Sequence, residues 1–321
     1  MPYTIELPSS ITEDNLATFV GGLGKGNSHD TIYLDFSKLT WITPGAVAAI
    51  AGKARGWHNA KKKVFFKGHD NGNVSSYLQR FDLFRTVGIQ MEEKFRRRDS
   101  SGKFVPLCSI KHGGKSVESL ASHVASVMVP NHEGDEDWET GEVGAYGYFE
   151  YAVSELANNV LQHARADGYV CAQYYPSADM VRVAISDAGI GIRKSFEITD
   201  SPHWHPAMND FDAINTARKP KVSSRLHLPS PYGDPVNQGV GLTLLEEVAK
   251  EAGGKFLVLS GEGCYTLDGP RNIEAGRGFQ GTLVALAIRR SAVQEFNRLL
   301  KQAKVRAGIL SQPSTFKGVF R

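Results

Sequence analysis

The sequence has little cysteine, no long apolar run and only a small net charge. Its three cysteines, Cys108, Cys171 and Cys264, are odd in number and far apart. They match no metal-ligand spacing, which argues against a disulfide or zinc framework and for a reducing compartment. No apolar run reaches the ~18 residues that a membrane helix needs, and the longest, such as 281–288, suits a buried strand. The opening MPYTIELPSS lacks the basic and apolar regions of a signal peptide, so a cytoplasmic location with no membrane contact is expected.

What is there is the composition of an ordinary globular protein: 41% hydrophobic, 22% charged and 10% aromatic residues in 321. That length suits about two domains. The net charge of +3 hides an uneven spread. Residues 1–101 carry 14 Lys and Arg against 10 Asp and Glu, 102–288 carry 15 against 23, and 289–321 carry 8 against 1. A basic tail on an acidic body suits an acidic partner or nucleic acid, but we prefer the plainer reading, an exposed terminal helix with charged flanks.

The first hundred residues alternate strand-like and helix-like patterns. Strands are expected at 31–36 and 63–67, and helices from Pro44 to Ala54 and over 73–84. The charged stretch 92–103 marks a boundary, and the acidic stretch 131–142 reads as a solvated loop. Farther on, apolar residues at 149, 152, 153, 156, 157, 160, 161 and 164 predict one helix over 145–164. Val181, Val183 and Ile185 alternate with Arg182, Ala184 and Ser186 in a half-buried strand. Residues 237–251 open with glycines and become a helix. Residues 193–238, rich in Pro, His, Ser and Asp, read as one long loop, and such loops are commonly functional lids.

Four short elements carry chemistry. Glu155, Asn159 and His163 lie four apart and form one row on the predicted helix. A carboxylate at the edge of a buried face suits a general base, and an Asn carbonyl one turn later is a hard oxygen ligand for magnesium. Asp187 ends its strand and is followed by Ala188, Gly189, Ile190, Gly191 and Ile192. A carboxylate there can accept from an exocyclic amine, while the glycines allow close approach to a flat ring. Asn237-Gln-Gly239-Val240-Gly241-Leu242 sets backbone donors at a helix start, an anion site. Gly281-Thr282 leads into the apolar strand LVALAI. Two imitations are set aside: 112–116 lacks the first glycine of a phosphate loop, and Ser116 reads as a helix cap. His203-Trp-His205 offers two metal donors without partners.

Order, spacing and local structure of these elements resemble the GHKL, or histidine-kinase-like, ATPase superfamily over roughly 103–290. Glu155-Leu-Ala-Asn-Asn159 with His163 resembles its N box. Residues 187–192 resemble its first glycine box, 237–242 its second, and Gly281-Thr282 its adenine-closing strand. The resemblance implies a Bergerat-type α/β sandwich with a mixed sheet. It implies that Asn159 ligates Mg2+, that Asp187 binds the adenine amine, and that Thr282 supports Asp187 through a hydroxyl or a bridging water. Gly189 and Gly191 would shape the lid hinge and base pocket, Gly239 and Gly241 would bring backbone donors to the phosphates, and Ile192, Val240 and Leu242 would belong to the same ATP-binding set. A carboxylate at Glu155 is similar to the ATPase and anti-sigma-factor serine kinase branches, where it serves as catalytic base. Less strongly, TIYLDFSKLTWITPGAVAAIAGKA at 31–54, KVFFKG at 63–68 and 73–89 resemble the STAS domain of anti-sigma-factor antagonists. At the place of that family's phosphorylated serine stands Thr43-Pro44-Gly45, leaving Thr43 as the candidate acceptor.

The expectation is therefore an α/β chain with a STAS-like domain at 1–98, a GHKL domain at 103–290 with a lid at 193–238, and a basic helix and tail at 291–321. It would bind Mg-ATP and hydrolyse it to switch contacts with a protein partner through the STAS-like domain or the tail. The rival expectations are a serine/threonine protein kinase and a non-hydrolysing nucleotide-sensing module. A homodimer is compatible with either.

Overall fold

Short runs of β-branched and aromatic residues build a small parallel sheet at the start of the chain. In the computed structural model, which describes residues 1–70, 72–130, 144–224 and 239–310, these are β1 (Tyr3–Glu6), β3 (Thr31–Asp35) and β5 (Lys63–Lys67), in the order β1-β3-β5. A two-residue pair, β2 (Ser10–Ile11) and β4 (Trp41–Ile42), lies beside them. Helix α1 (Leu16–Gly24) precedes β3, and α2 (Pro44–Asn59) joins β4 to β5. The helix expected over 73–84 is broken into α3 (Gly72–Arg80) and α4 (Leu83–Thr86), because Asp82 between them adopts a left-handed backbone with φ 56°.

The rest forms one seven-stranded sheet. Its strands are β6 (Phe104–Ile110), β7 (Gly168–Tyr175), β8 (Met180–Asp187), β9 (Lys255–Gly261), β10 (Gly263–Thr266), β11 (Gly269–Asn272) and β12 (Phe279–Arg289). The order is β11-β10-β9-β12-β8-β7-β6, and every neighbouring pair is antiparallel. This corrects the expected mixed sheet. The fold is mixed α/β, but tight turns join β7 to β8, β9 to β10 and β10 to β11, and such connections give antiparallel neighbours. The long crossover from β8 to β9 leaves those two strands parallel, yet β12 sits between them and pairs with both.

Helices α5 (Val117–Met128), α6 (Gly144–Asn159), α9 (Gly241–Glu251) and α10 (Phe296–Arg306) share an apolar core with one face of this sheet. Ser116 caps α5, its hydroxyl accepting from the Ser119 amide at 3.2 Å. The sheet's other face is covered by α2, so a second core runs from the small sheet through α2 to Cys171, Ala184, Leu283 and Ala285. A helix apolar on all sides belongs in such an interior. The repeated alanines and the glycines at 45, 52 and 56 let it sit close: a side chain on Gly52 would meet Ser186 and Phe279 at about 3 Å. Thr43, the candidate phosphoacceptor, is fully buried at the start of α2, and its hydroxyl has no partner among the described residues. That seat closes it to a phosphoryl donor.

Two further expectations change. The helix 145–164 is not continuous: α6 ends at Asn159 and a single π turn follows over Val160–Ala164. The expected loop at 193–238 contains the end of α7 (Gly191–Ile198) and all of α8 (Asp210–Ala217). Asn209 and Asp212 form a reciprocal capping box that starts α8, with the Asp212 amide donating to Asn209 Oδ1 at 2.8 Å. Residues 225–238, including Arg225, Asn237 and Gln238, lie outside the described residues, as do the acidic stretch 131–142 and the tail 311–321.

Candidate functional site

The ends of β8 and β12 and the starts of α7 and α9 meet beside the π turn and enclose a cavity. Asp187 stands at its floor. The carboxylate is 3% exposed and accepts from the amide of Gly189 at 2.8 Å and from the amide of Thr282. Burial raises its pKa to about 7, and these two amide bonds only partly offset that. Thr282 thus meets Asp187 through its backbone N–H, not through the expected hydroxyl or bridging water.

Glycines make this floor possible. A Cβ on Gly189 would fall 2.0 Å from the Ala164 carbonyl oxygen, which accepts from the Ile190 amide at 3.0 Å. Gly281, with φ +91°, leaves no room for a side chain against Asp187. Ser260, at the end of an apolar strand, ties the pieces together. Its hydroxyl donates to the Gly281 carbonyl and accepts from the Ile192 amide, both at 2.9 Å.

The opposite wall comes from α6 and α9. Asn159, Gly191, Ile192, Gly239, Gly241, Leu242 and Thr282 all line the cavity with Asp187. Gly189 forms the turn beneath it, and Val240 packs on the helix core instead. The glycine turn delivers α9 with Val240 at its cap position, which supplies no capping side chain. Among the described residues no side chain caps the first amides of α9, which stand at the positive end of the helix dipole. Glu155 lies against this same terminus: a Cβ on Gly241 would fall 2.2 Å from its Oε2. Burial pushes the Glu155 carboxyl above its usual range. His163 stays at the cavity despite the π turn, a kind of helix irregularity frequent at functional sites.

Three residues at this site carry no sequence motif. Ser224 lies across the cavity, its hydroxyl 2.8 Å from Ser195 Oγ and 3.1 Å from His163 Nδ1. The Val222 amide donates to the Gly239 carbonyl at 3.3 Å, and the two backbones touch. With Val222–Ser224 in this position the cavity encloses about 100 Å³, less than the ~300 Å³ of a typical small-molecule site. The only sequence signal for Ser260 is a polar residue closing an apolar run. Ser195 and Ser224 had none.

The cations within the segment expected as a lid, 193–238, take different places. Arg218 is committed to α9 by a bidentate pair with Glu246 and lies over the Tyr265 ring. Lys219 and Lys221 are exposed. The chain matches no family model, no curated protein and no solved structure. What the geometry offers chemically is a buried carboxylate acceptor at one end, backbone donors at the other and a raised-pKa carboxylate beside them. That arrangement suits a ligand with a flat amine-bearing ring and an anionic tail.

Proposed function

We propose that the cavity binds ATP with magnesium, as a nucleotide site of the GHKL type, and that residues 1–98 form a STAS-like portion packed behind it. The observation that carries this reading is convergence. Segments around 155–163, 187–192, 239–242 and 282, far apart in sequence, line or abut one cavity. The arrangement of α6 and α9 over a sheet with β12 inserted between β8 and β9 is compatible with the sandwich that the motifs imply.

In this reading Asp187 accepts the exocyclic amine of adenine, and Gly191 and Ile192 border the ring. The amides at Gly239 and Gly241 take the phosphates at the start of α9. The donor set also fits magnesium. Among the described residues no cluster of three or more His, Cys, Asp or Glu could hold a metal alone. Magnesium held beside phosphates needs only one or two protein oxygens and keeps several waters. Asn159 would supply the protein oxygen, and the ion would neutralise phosphate charge as the terminal phosphoryl leaves. Glu155, with its raised pKa, would take the proton from the attacking water or hydroxyl.

Hydrolysis would then switch contacts with a protein partner. With Thr43 buried, a transfer reaction needs an acceptor hydroxyl elsewhere. The deciding experiment incubates the full chain with gamma-labelled ATP and magnesium, alone and with candidate partner proteins, and follows free phosphate and labelled protein. Binding of ATP in preference to GTP is expected, with phosphate released. Equal affinity for the two nucleotides, or none for either, overturns the reading.

A further inference from the structure

The face of the large sheet opposite the cavity is held by α2, and the contacts converge on the segments that carry Asp187 and Thr282. Ser186, adjacent to Asp187, donates its hydroxyl to the Ala48 carbonyl at 2.7 Å. Lys53, 2% exposed in the middle of α2, donates from Nζ to the Gly278 carbonyl at 2.7 Å. Its ammonium lies 5.7 Å from the Trp57 ring centroid and 5.9 Å from that of Phe279. Asn27 donates to the same carbonyl at 3.2 Å and accepts from Trp57 Nε1.

A buried ammonium normally has a carboxylate partner. Among the described residues Lys53 has none. The charged groups on the neighbouring elements are engaged elsewhere: Arg277 with Glu274, Lys62 with the carbonyls of Asn27 and His29, and Glu262 with the Gly276 amide. Methionine would fill the same volume without desolvating a charge, so what the ammonium adds here is its bond to the Gly278 carbonyl and its approach to the two rings.

The carbonyl it grips begins a sensitive stretch. Pairing of β12 with β9 shifts register between Phe279 and Thr282. Within that irregularity Gly281 touches Asp187, and the Thr282 amide donates to the Asp187 carboxylate. Three residues separate Gly278 from the Thr282 amide that donates to Asp187.

We propose that Lys53 is a positioning residue for the nucleotide site. From the rear of the sheet it fixes segment 278–282 and thereby the Asp187 carboxylate, so that the seating of the N-terminal portion regulates nucleotide affinity. The proposal rests on the ATP reading above. Burial lowers the Lys53 pKa to about 8, so the ammonium is charged near neutrality and loses its proton in mildly alkaline solution. The neutral amine keeps a donor but loses the charge-assisted bond and the attraction of both rings.

The test measures affinity for Mg-ATP by calorimetry from about pH 7.5, where Asp187 is already mostly ionised, to about pH 9.5 on the full chain. Wild type is compared with Lys53→Met, Lys53→Arg and Asn27→Ala, and amide exchange at Gly189 and Thr282 is followed without nucleotide. Wild-type affinity should fall by roughly tenfold as pH rises through about 8. Lys53→Met should be roughly tenfold weaker near neutrality, lack the alkaline fall and exchange the Thr282 amide faster. Lys53→Arg, charged throughout, should keep the affinity and lose the alkaline fall, whereas Asn27→Ala should retain it. An alkaline fall that persists in Lys53→Met or Lys53→Arg, with unchanged exchange at Thr282, overturns the proposal and leaves the ATP reading intact. Absence of ATP binding in the wild type overturns that reading instead, and the exchange rates then decide the coupling alone.

Discussion

Arg218 and Glu246 form a two-pronged ion pair, Nε to Oε2 at 2.7 Å and Nη2 to Oε1 at 2.6 Å, that ties the segment entering the cavity to helix α9. Glu246 is 4% exposed and also accepts from Tyr265 at 2.8 Å and Lys250 at 2.7 Å. Thr243 adds a third tie, its hydroxyl donating to the Arg218 carbonyl at 2.7 Å. Residues 219–224 thus hang from a fixed point.

Removing one partner of a buried pair leaves the other charge stranded. Arg218→Ala should destabilise the protein by about 3 kcal/mol, the low end for such pairs because Lys250 and Tyr265 still hold Glu246. Burial alone would raise the Glu246 pKa, but the hydrogen bonds from Arg218, Lys250 and Tyr265 outweigh it and hold the carboxyl below its usual value. A depressed carboxyl contributes stability that is present above its unfolded pKa and lost as pH falls through the folded one. Denaturant unfolding of wild type and Arg218→Ala at neutral and acidic pH checks both statements, and the difference should shrink in acid.

For Asp187 the sign is opposite. Its folded pKa of about 7 lies above the ordinary aspartate value of 3.8. The fold therefore favours the protonated acid, and stability is lost as pH rises from about 4 to about 7, by at most about 4 kcal/mol. Asp187→Asn removes that cost, so its melting temperature at mildly alkaline pH should exceed that of wild type. It also replaces an acceptor by a group that presents N–H to the ring amine, so ATP affinity should drop by at least about tenfold. A variant that is more stable yet binds ATP normally would argue that Asp187 does not face the base.

Glu155→Gln separates binding from chemistry. The side chain keeps its shape against Gly241 but cannot take a proton, so phosphate release should fall by about 10²–10⁴-fold while ATP binding persists. Asn159→Ala should instead weaken the part of ATP affinity that depends on magnesium. Parallel titrations with magnesium and with EDTA distinguish the two variants.

The contrast between Asp187 and Ser224 marks how far the sequence alone could be read. The row Glu155-Asn159, the turn after Asp187 and the glycines at 239 and 241 were legible because each is a local pattern of residue type on a predictable element. Their convergence on one cavity depends on the strand order that sets β12 beside β8. The capping box Asn209–Asp212 was equally local, and it would have placed α8 within the expected loop. Ser224, Ser195 and Lys53 act through partners 29, 61 and 225 residues distant in the chain, and no local pattern marks them. The burial of α2 between two sheets was foreshadowed only by its small residues, since close approach on two sides demands Ala and Gly. The antiparallel order of the large sheet depends on where β12 inserts, which periodicity does not encode.

Ser224 provides the last prediction. Its hydroxyl joins Ser195 and His163 across the cavity, and Val222 next to it covers the backbone of Gly239, where phosphates would bind. A nucleotide can enter only if Val222–Ser224 withdraws, so part of the binding free energy is spent on breaking these contacts. Each hydrogen bond contributes about 1 kcal/mol net, and Ser224→Ala removes two of them. The variant should bind ATP up to about thirtyfold more tightly and associate faster, with little change in dissociation, since the contacts exist only before binding. Ser195→Ala breaks one and should show a smaller effect in the same direction. Stopped-flow association with a fluorescent ATP analogue reads both rates. Slower association in Ser224→Ala would mean that the serine contacts the nucleotide, so that the segment is part of the bound site instead of a plug that must leave it.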